Sequence, residues 1–239
     1  NRRLVDHAAD FNLAYTEHAR RNLLAEGLHP RRIIVTGSPM TEVLEAHAEA
    51  IAASSALGDL GVESGEYFLV SAHREENVDS PERLRALLEC LNAVAGEWGL
   101  PVLVSTHPRT RKRLENVPDV SVSDLVRFHE PFRFLDYNRL QMDARCVLSD
   151  SGTIAEESTI LGFPAVTLRS SIERPEALDT GAITMTDLEP EEVLRGIRFA
   201  VGRGAGERPA DYEIRNTSER VVNFILSTAF QHDFWSGLR

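Results

Sequence analysis

Lysine is almost missing from this chain. Lys112 is the single one, so arginine carries nearly all of the positive charge. Genome base composition accounts for much of such a bias, and the rest suits planar, two-pronged recognition of phosphate and carboxylate, which lysine does not offer. Cysteine is scarce too. Cys90 and Cys146 both sit in apolar surroundings, which points to reduced, buried thiols in a reducing compartment and away from a disulfide scaffold. No Cys/His set has the spacing of a zinc site, and nothing in the sequence calls for a metal or another cofactor. No apolar run approaches the ~18 residues of a membrane span, and there is no secretory leader. The chain opens at Asn1 without an initiator Met, and it is expected to be the cytoplasmic part of something longer. Positive charge is also in short supply: 26 Lys and Arg against 37 Asp and Glu leave a formal net charge of -11. That balance excludes a general nucleic-acid or anionic-membrane surface, although it leaves room for one local basic pocket.

What is present is an ordinary globular composition, 42% hydrophobic and 26% charged over 239 residues, enough for one large or two small domains. Helices are expected over residues 1–10, 16–26 and 41–54, with short strands over 11–15 and 32–36. Residues 58–66 read as a turn-rich connector. The pattern then becomes regular. Short apolar runs, YFLVS, PVLVS, the segment 125–129, the segment ending in CVLS, and PAVTL, alternate with helical stretches over 80–95, 110–115, 132–142, 153–161 and 190–201. A last short strand is expected over 182–185, and a final helix over 213–228. Strands alternating with helices predict an α/β fold with a Rossmann-like, doubly wound parallel sheet. Near-continuous apolar runs are expected of strands covered on both faces.

In such a sheet, ligands bind beyond the carboxyl ends of the strands, and polar groups cluster after these runs. Ser71 is followed by Ala72-His73-Arg74-Glu75-Glu76-Asn77, Ser105 by Thr106-His107-Pro108-Arg109, and Ser149 by Asp150-Ser151-Gly152. Arg169 and then Glu173-Arg174-Pro175-Glu176 follow AVTL. Arg74, Arg109, Arg169 and Arg174 define a rim that suits phosphate oxygens, while His73 and His107 bring imidazoles, the side chain that serves as a proton carrier near neutrality. Ser151 and Gly152 fall at a helix start, where free amides and the helix dipole favour an anion. The same residues also fit plain capping, because Thr153 and Glu156 have capping-box spacing. Glu157 lies about one turn further on, placed to accept hydrogen bonds from sugar hydroxyls. Glu173 to Glu176 also fit a local salt bridge around a proline turn, and Tyr137 fits either a core aromatic or a surface on which a nucleobase stacks.

Taken together and in order, NRRLVDHAAD, VTGSP (Val35 to Pro39), SAHREEN (Ser71 to Asn77), STHPRT (Ser105 to Thr110), LSDSGTIAEES (Leu148 to Ser158) and ERPE (Glu173 to Glu176) resemble the non-hydrolysing UDP-N-acetylglucosamine 2-epimerase family. The likeness runs over essentially the whole chain. Within the family, GSPMTEVL, VSAHREENVDS, PVLVSTHPRTRKRL and DYNRLQM look most similar to the branch that makes UDP-N-acetyl-L-fucosamine from UDP-2-acetamido-2,6-dideoxy-L-talose.

The resemblance implies two Rossmann-like domains of the GT-B kind, with the nucleotide held by the C-terminal one. It implies that residues 1–30 are a remnant of the N-terminal domain, 31–211 the nucleotide-binding domain and 212–239 a helix crossing back. It places a UDP-sugar as partner: Ser151, Gly152 and Thr153 on the pyrophosphate, Glu157 on the ribose, Phe132 and Tyr137 beside the uracil, Arg174 near the diphosphate and His73 at the reacting sugar. Thr153 stands where many relatives carry a second glycine. Arg74, Glu76 and His107 fall at a regulatory or cleft position. The implied reaction eliminates UDP to give a 2-acetamidoglycal-like intermediate and re-adds it after protonation from the other face, supplying cell-surface polysaccharide precursors. The family's catalytic carboxylates come from the N-terminal domain, so this chain is expected to bind UDP and to be inactive alone, the full-length protein being a homodimer. Two alternatives share the nucleotide-binding features: a GT-B glycosyltransferase domain, and a non-catalytic sugar-nucleotide-binding module.

Overall fold

The computed structural model describes the chain except for residues 75–76, 78–79, 107–109, 112, 114–116, 118–119, 170, 173, 205 and 236–239 and the side chain of residue 235. Contacts divide it into two compact units, Asn1–Ala46 with Arg208–Arg239, and His47–Glu207.

The smaller unit opens with α1 (Arg2–Ala8), β1 (Asn12–Ala14), α2 (Glu17–Ala25), β2 (Ile33–Val35) and α3 (Met40–Ala46). Thr16 starts α2 by accepting the Ala19 amide on its hydroxyl at 3.2 Å, the ordinary way to satisfy a helix's first donors. The strands β1 and β2 pair in parallel, Asn12 opposite Ile33, around a small core of Ala14, Leu28 and Ile33. By their contacts, residues 31–46 group with this smaller unit. The reason is polar: Thr217 Oγ1 donates to the Thr36 and Ser38 carbonyls at 3.2 Å, and Thr41 Oγ1 to the Tyr212 carbonyl at 2.7 Å. Gly37 makes the approach possible. It has φ +89°, and a Cβ there would come within 2.6 Å of Ile214, so both its backbone and its bare surface are required.

The larger unit continues with α4 (Ala48–Ala52) and α5 (Ala56–Leu60), then β3 (Phe68–Ser71), α6 (Pro81–Trp98), β4 (Val102–Ser105), β5 (Val126–His129), α7 (Phe134–Asp143), β6 (Cys146–Ser149), α8 (Ile154–Leu161), β7 (Ala165–Leu168), α9 (Glu176–Asp179), β8 (Thr184–Thr186) and α10 (Pro190–Arg203). The strands form one parallel sheet in the order β5-β4-β3-β6-β7-β8. This is the doubly wound order in which the chain runs outward one way from its first strand and then returns to run outward the other way. The switch lies between β3 and β6, where Ser71 stands opposite Ser149.

Alternation along the strands assigns the two faces. Phe68, Val70, Val104, Cys146 and Leu148 pack with α6 and α10, whereas Leu69, Leu103, Val147 and Ala165 pack with α7 and α8. Every strand residue from Phe68 to Val70 and from Cys146 to Leu148 is fully buried, as both-face coverage demands. The long α6 is bounded by chemistry the sequence displays: Ser80 accepts the Arg83 amide, Pro81 opens the first turn, and Gly99 closes the last with φ +63°.

Several stretches differ from expectation. The helix expected over 41–54 is broken at His47, whose φ of -109° and ψ of 5° leave the helical well. The expected connector over 58–66 instead begins inside α5, because Ala56, Leu57, Leu60 and Val62 pack against the core while Gly58 and Asp59 face outward. The smaller unit ends in α11 (Thr217–Thr228) and α12 (His232–Trp235). The former starts later than expected, after a short 3-10 turn at Ala210–Tyr212. Among the described residues no helix is long and apolar enough to cross a membrane.

Candidate functional site

The carboxyl ends of β3 and β6 meet at Asp150, which is completely buried. Its carboxylate accepts the backbone amides of His73 (3.0 and 3.1 Å) and Arg74 (2.9 Å) and the Asn77 side-chain amide (3.1 Å). A buried carboxylate is costly unless donors surround it, and here they do. Asn77, itself buried, also donates to the Leu168 carbonyl at the end of β7, while its Oδ1 accepts from Arg83 at 3.0 Å. Arg83 in turn pairs with Asp187, just beyond β8, at 2.7 Å. The ends of β3, β6, β7 and β8 are thereby tied into one polar network. His73 is held at the rim of this network, its side chain 49% exposed, with Nδ1 3.5 Å from both Asp150 and the Ser71 hydroxyl.

The turn after Asp150 leads into α8. Ser151 donates its amide to Ser149 Oγ at 3.1 Å, and its own hydroxyl takes the Thr153 amide at 3.3 Å and bonds the Thr153 hydroxyl at 2.9 Å. As at any helix start, the following amides have no carbonyl one turn back. The capping-box reading does not hold: Thr153 caps no helix amide with its side chain, and the Glu156 carboxylate goes elsewhere. Glu156 is 2% exposed and forms an ion pair with the Arg174 guanidinium. Arg174 therefore reaches the first turn of α8.

Glu157 points to the other side, where the buried Gln141 of α7 donates to its Oε2 at 2.7 Å. Tyr137, one turn earlier on α7, packs partly against the core, with its hydroxyl facing Ser71 and Gln141. Burial, then the Glu157 carboxylate, pushes its phenol well above the usual range. Phe132 also lies against that core, and its ring stands 5.3 Å from that of His129 at the end of β5. Burial, and then Arg127, lower the His129 imidazole below its ordinary value, so it is neutral at physiological pH.

The structure thus gathers His73, Ser151, Gly152, Thr153, Glu157, Arg174 and Tyr137 about the switch point and α8, with Phe132 on the approach to α7. Arg74 is half-buried beside them. Arg169 departs from expectation: it is 5% exposed, part of the interior and not of the rim. Glu76, His107 and Arg109 lie outside the described residues. Sequence reasoning missed Asp150, Asn77, Gln141, Glu156 and His129 as working parts. For Asp150 a signal was present, since a carboxylate directly after a fully apolar strand sits at the buried end of that strand. The partners of Gln141 and Glu156 depend on tertiary register and left no local trace.

Strand order and switch-point chemistry define a Rossmann-like α/β unit. The model of one protein family, described as UDP-N-acetylglucosamine 2-epimerase, matches residues 1–226, and the chain belongs to that family. A UDP-N-acetylglucosamine 2-epimerase of Methanocaldococcus jannaschii is 33% identical over 209 residues, covering 85% of this chain and 57% of the relative. The structure of UDP-N-acetylglucosamine 2-epimerase from Rickettsia bellii superposes with a TM-score of 0.88 at 36% identity, over 98% of this chain and 63% of that one. The Methanocaldococcus jannaschii enzyme in complex with UDP-GlcNAc and UDP gives a TM-score of 0.86 at 28% identity, over 95% of this chain and 64% of that one. The chain therefore spans less than two thirds of the length of these relatives.

Proposed function

We propose that this chain is the nucleotide-holding part of a sugar-nucleotide 2-epimerase that inverts C2 of a UDP-N-acetylhexosamine. The single observation that carries the reading is the turn from Asp150 to Glu157 at the switch point. It sets a helix start, a half-buried cation at Arg174 and an oriented carboxylate at Glu157 side by side. The helix start and Arg174 take the diphosphate. Glu157, steadied by Gln141, accepts the ribose hydroxyls, and Phe132 and Tyr137 border the uracil. His73 faces the sugar. A likeness to an epimerase solved with UDP-GlcNAc and UDP supports this placement.

Chemically, the C2 hydrogen is not acidic, so inversion proceeds by loss of UDP and its return to the other face of the glycal-like intermediate. The residues here stabilise the departing diphosphate by charge and fixed donors. The resemblance assigns the acid and base that move the C2 proton to the family's N-terminal domain, so this part is expected to bind UDP without turnover. The motif wording favours the UDP-N-acetyl-L-fucosamine branch, hence a role in surface polysaccharide precursor synthesis by a cytoplasmic homodimer. Incubating the polypeptide that carries the family's carboxylates with UDP-N-acetylglucosamine, or with the 6-deoxy-talose nucleotide, in deuterated water tests the proposal. Deuterium at C2 of recovered substrate and epimer is expected from the preferred one. Free UDP released irreversibly, with no exchange at C2, would point to glycosyl transfer instead.

A further inference from the structure

Asp150 opens the turn invoked above but is given no contact with the ligand there, yet it is completely buried at the switch point. Three N–H donors from the segment after β3 converge on it, those of His73, Arg74 and the Asn77 side chain. The orientation of the Asn77 amide is fixed, because Arg83 can only donate and must therefore meet Oδ1, leaving Nδ2 for Asp150 and the Leu168 carbonyl. Arg83 is anchored in turn by Asp187. The carboxylate is thus held from several strand ends at once and cannot turn away from His73, whose Nδ1 lies 3.5 Å from Oδ1.

An ionised carboxylate accepts hydrogen bonds and gives none. A neutral imidazole carries one proton, and beside a fixed carboxylate that proton belongs on the nearer nitrogen. Ser71 Oγ, also 3.5 Å from Nδ1, either donates or accepts and does not decide the matter. Nε2 has no protein partner among the described residues, and the side chain is half exposed.

We propose that Asp150 is the positioning residue of this site, holding His73 with Nδ1 protonated and turned inward so that Nε2 meets the ligand as a hydrogen-bond acceptor. His73 then takes an O–H or N–H donor from the sugar and, while neutral, offers no donor at Nε2 to a phosphate oxygen. This consequence rests on the proposed placement of the sugar at His73; the tautomer itself does not.

The test is nitrogen-15 NMR of the imidazoles at about pH 8.5, with His73 assigned by loss of its signals in His73→Asn. The wild-type chain is expected to show mainly the Nδ1–H tautomer. Asp150→Asn should lower the Nδ1–H to Nε2–H ratio about tenfold, the effect of losing a charged acceptor, while Ser71→Ala should leave it in place. A purely structural role for Asp150 would not move the tautomer of a folded variant. A predominant Nε2–H form in the wild type overturns the proposal. So does an unchanged ratio in folded Asp150→Asn, or a shift in Ser71→Ala as large as that in Asp150→Asn. Should Asp150→Asn not fold, the wild-type spectrum and Ser71→Ala decide. No nucleotide is present in these measurements, so failure of the UDP-site reading would appear separately, as absent UDP binding.

Discussion

Arg174 is asked to do two things, to neutralise Glu156 and to meet a diphosphate, and the two can be separated. Glu156 is 2% exposed and the Arg174 side chain 24%. Removing one partner of a well-buried pair costs about 3–5 kcal/mol, because the other charge loses that compensation. Partial exposure of the arginine brings the expectation for Arg174→Ala to about 2–3 kcal/mol. Glu156→Gln keeps the shape and removes the stranded charge. In that background Arg174→Ala should cost only about 1 kcal/mol, the loss of one ordinary hydrogen bond. The coupling from the double-mutant cycle is then about 1–2 kcal/mol, measured as urea unfolding of all four proteins. UDP affinity should not follow the same pattern. Both proteins lacking Arg174 should lose roughly tenfold or more, whereas Glu156→Gln alone should bind as well as the wild type, since it releases the guanidinium. Equal destabilisation by Arg174→Ala in both backgrounds would refute the pair as described. Full recovery of UDP affinity in the double variant would refute the second role of Arg174.

Other outcomes follow from burial. Cys90 and Cys146 are driven by burial up to about 12, and a thiol that ionises only in the unfolded chain stabilises the fold below its unfolded pKa. That stability is lost as pH rises, by about 1.4 kcal/mol per pH unit for each thiol above ~9. Denaturation from pH 8 to 10 should show this decline, and Cys90→Ala should halve its slope; a flat profile would contradict the burial. Tyr67, whose hydroxyl donates to the Leu140 carbonyl at 2.6 Å, has its phenol pushed well above the usual range, chiefly by burial. Its replacement by Phe should cost about 1 kcal/mol by urea unfolding. Gly37→Ala should destabilise the smaller unit by about 1–3 kcal/mol, from crowding against Ile214 added to a strained φ. Hydrogen exchange would locate the loss in residues 1–46 and 208–239, and protection unchanged there would contradict it.

The sheet was readable because each buried strand is a short apolar run followed by its own polar cluster, and FLVS, VLVS, CVLS and AVTL fall where such runs predict. The start of α6 was readable at Ser80, whereas its end, expected at residue 95, lies at Trp98 before Gly99. The break at His47 was not, since Ala and Glu on both sides favour continuing a helix. Nor was α5, whose Gly58 and Asp59 conceal the apolar spacing of Ala56, Leu57 and Leu60. At the site, local sequence indicated the Ser151 to Glu157 turn but offered two explanations for it. Three-dimensional register removes the capping box, by carrying the Glu156 carboxylate to Arg174, and the anion site is the explanation proposed above. Arg169 shows the opposite failure: its place after β7 suggested the rim, and packing buried it.

The central claim is that the turn from Asp150 to Glu157, with Arg174, grips a nucleoside diphosphate, and calorimetric titration of the chain with UDP tests it most directly. The account predicts saturable binding, weaker for UMP, which lacks the second phosphate, and weakened about tenfold or more by Glu157→Ala. A folded chain that gives no binding heat across a temperature series, or that binds UMP as tightly as UDP, would contradict it.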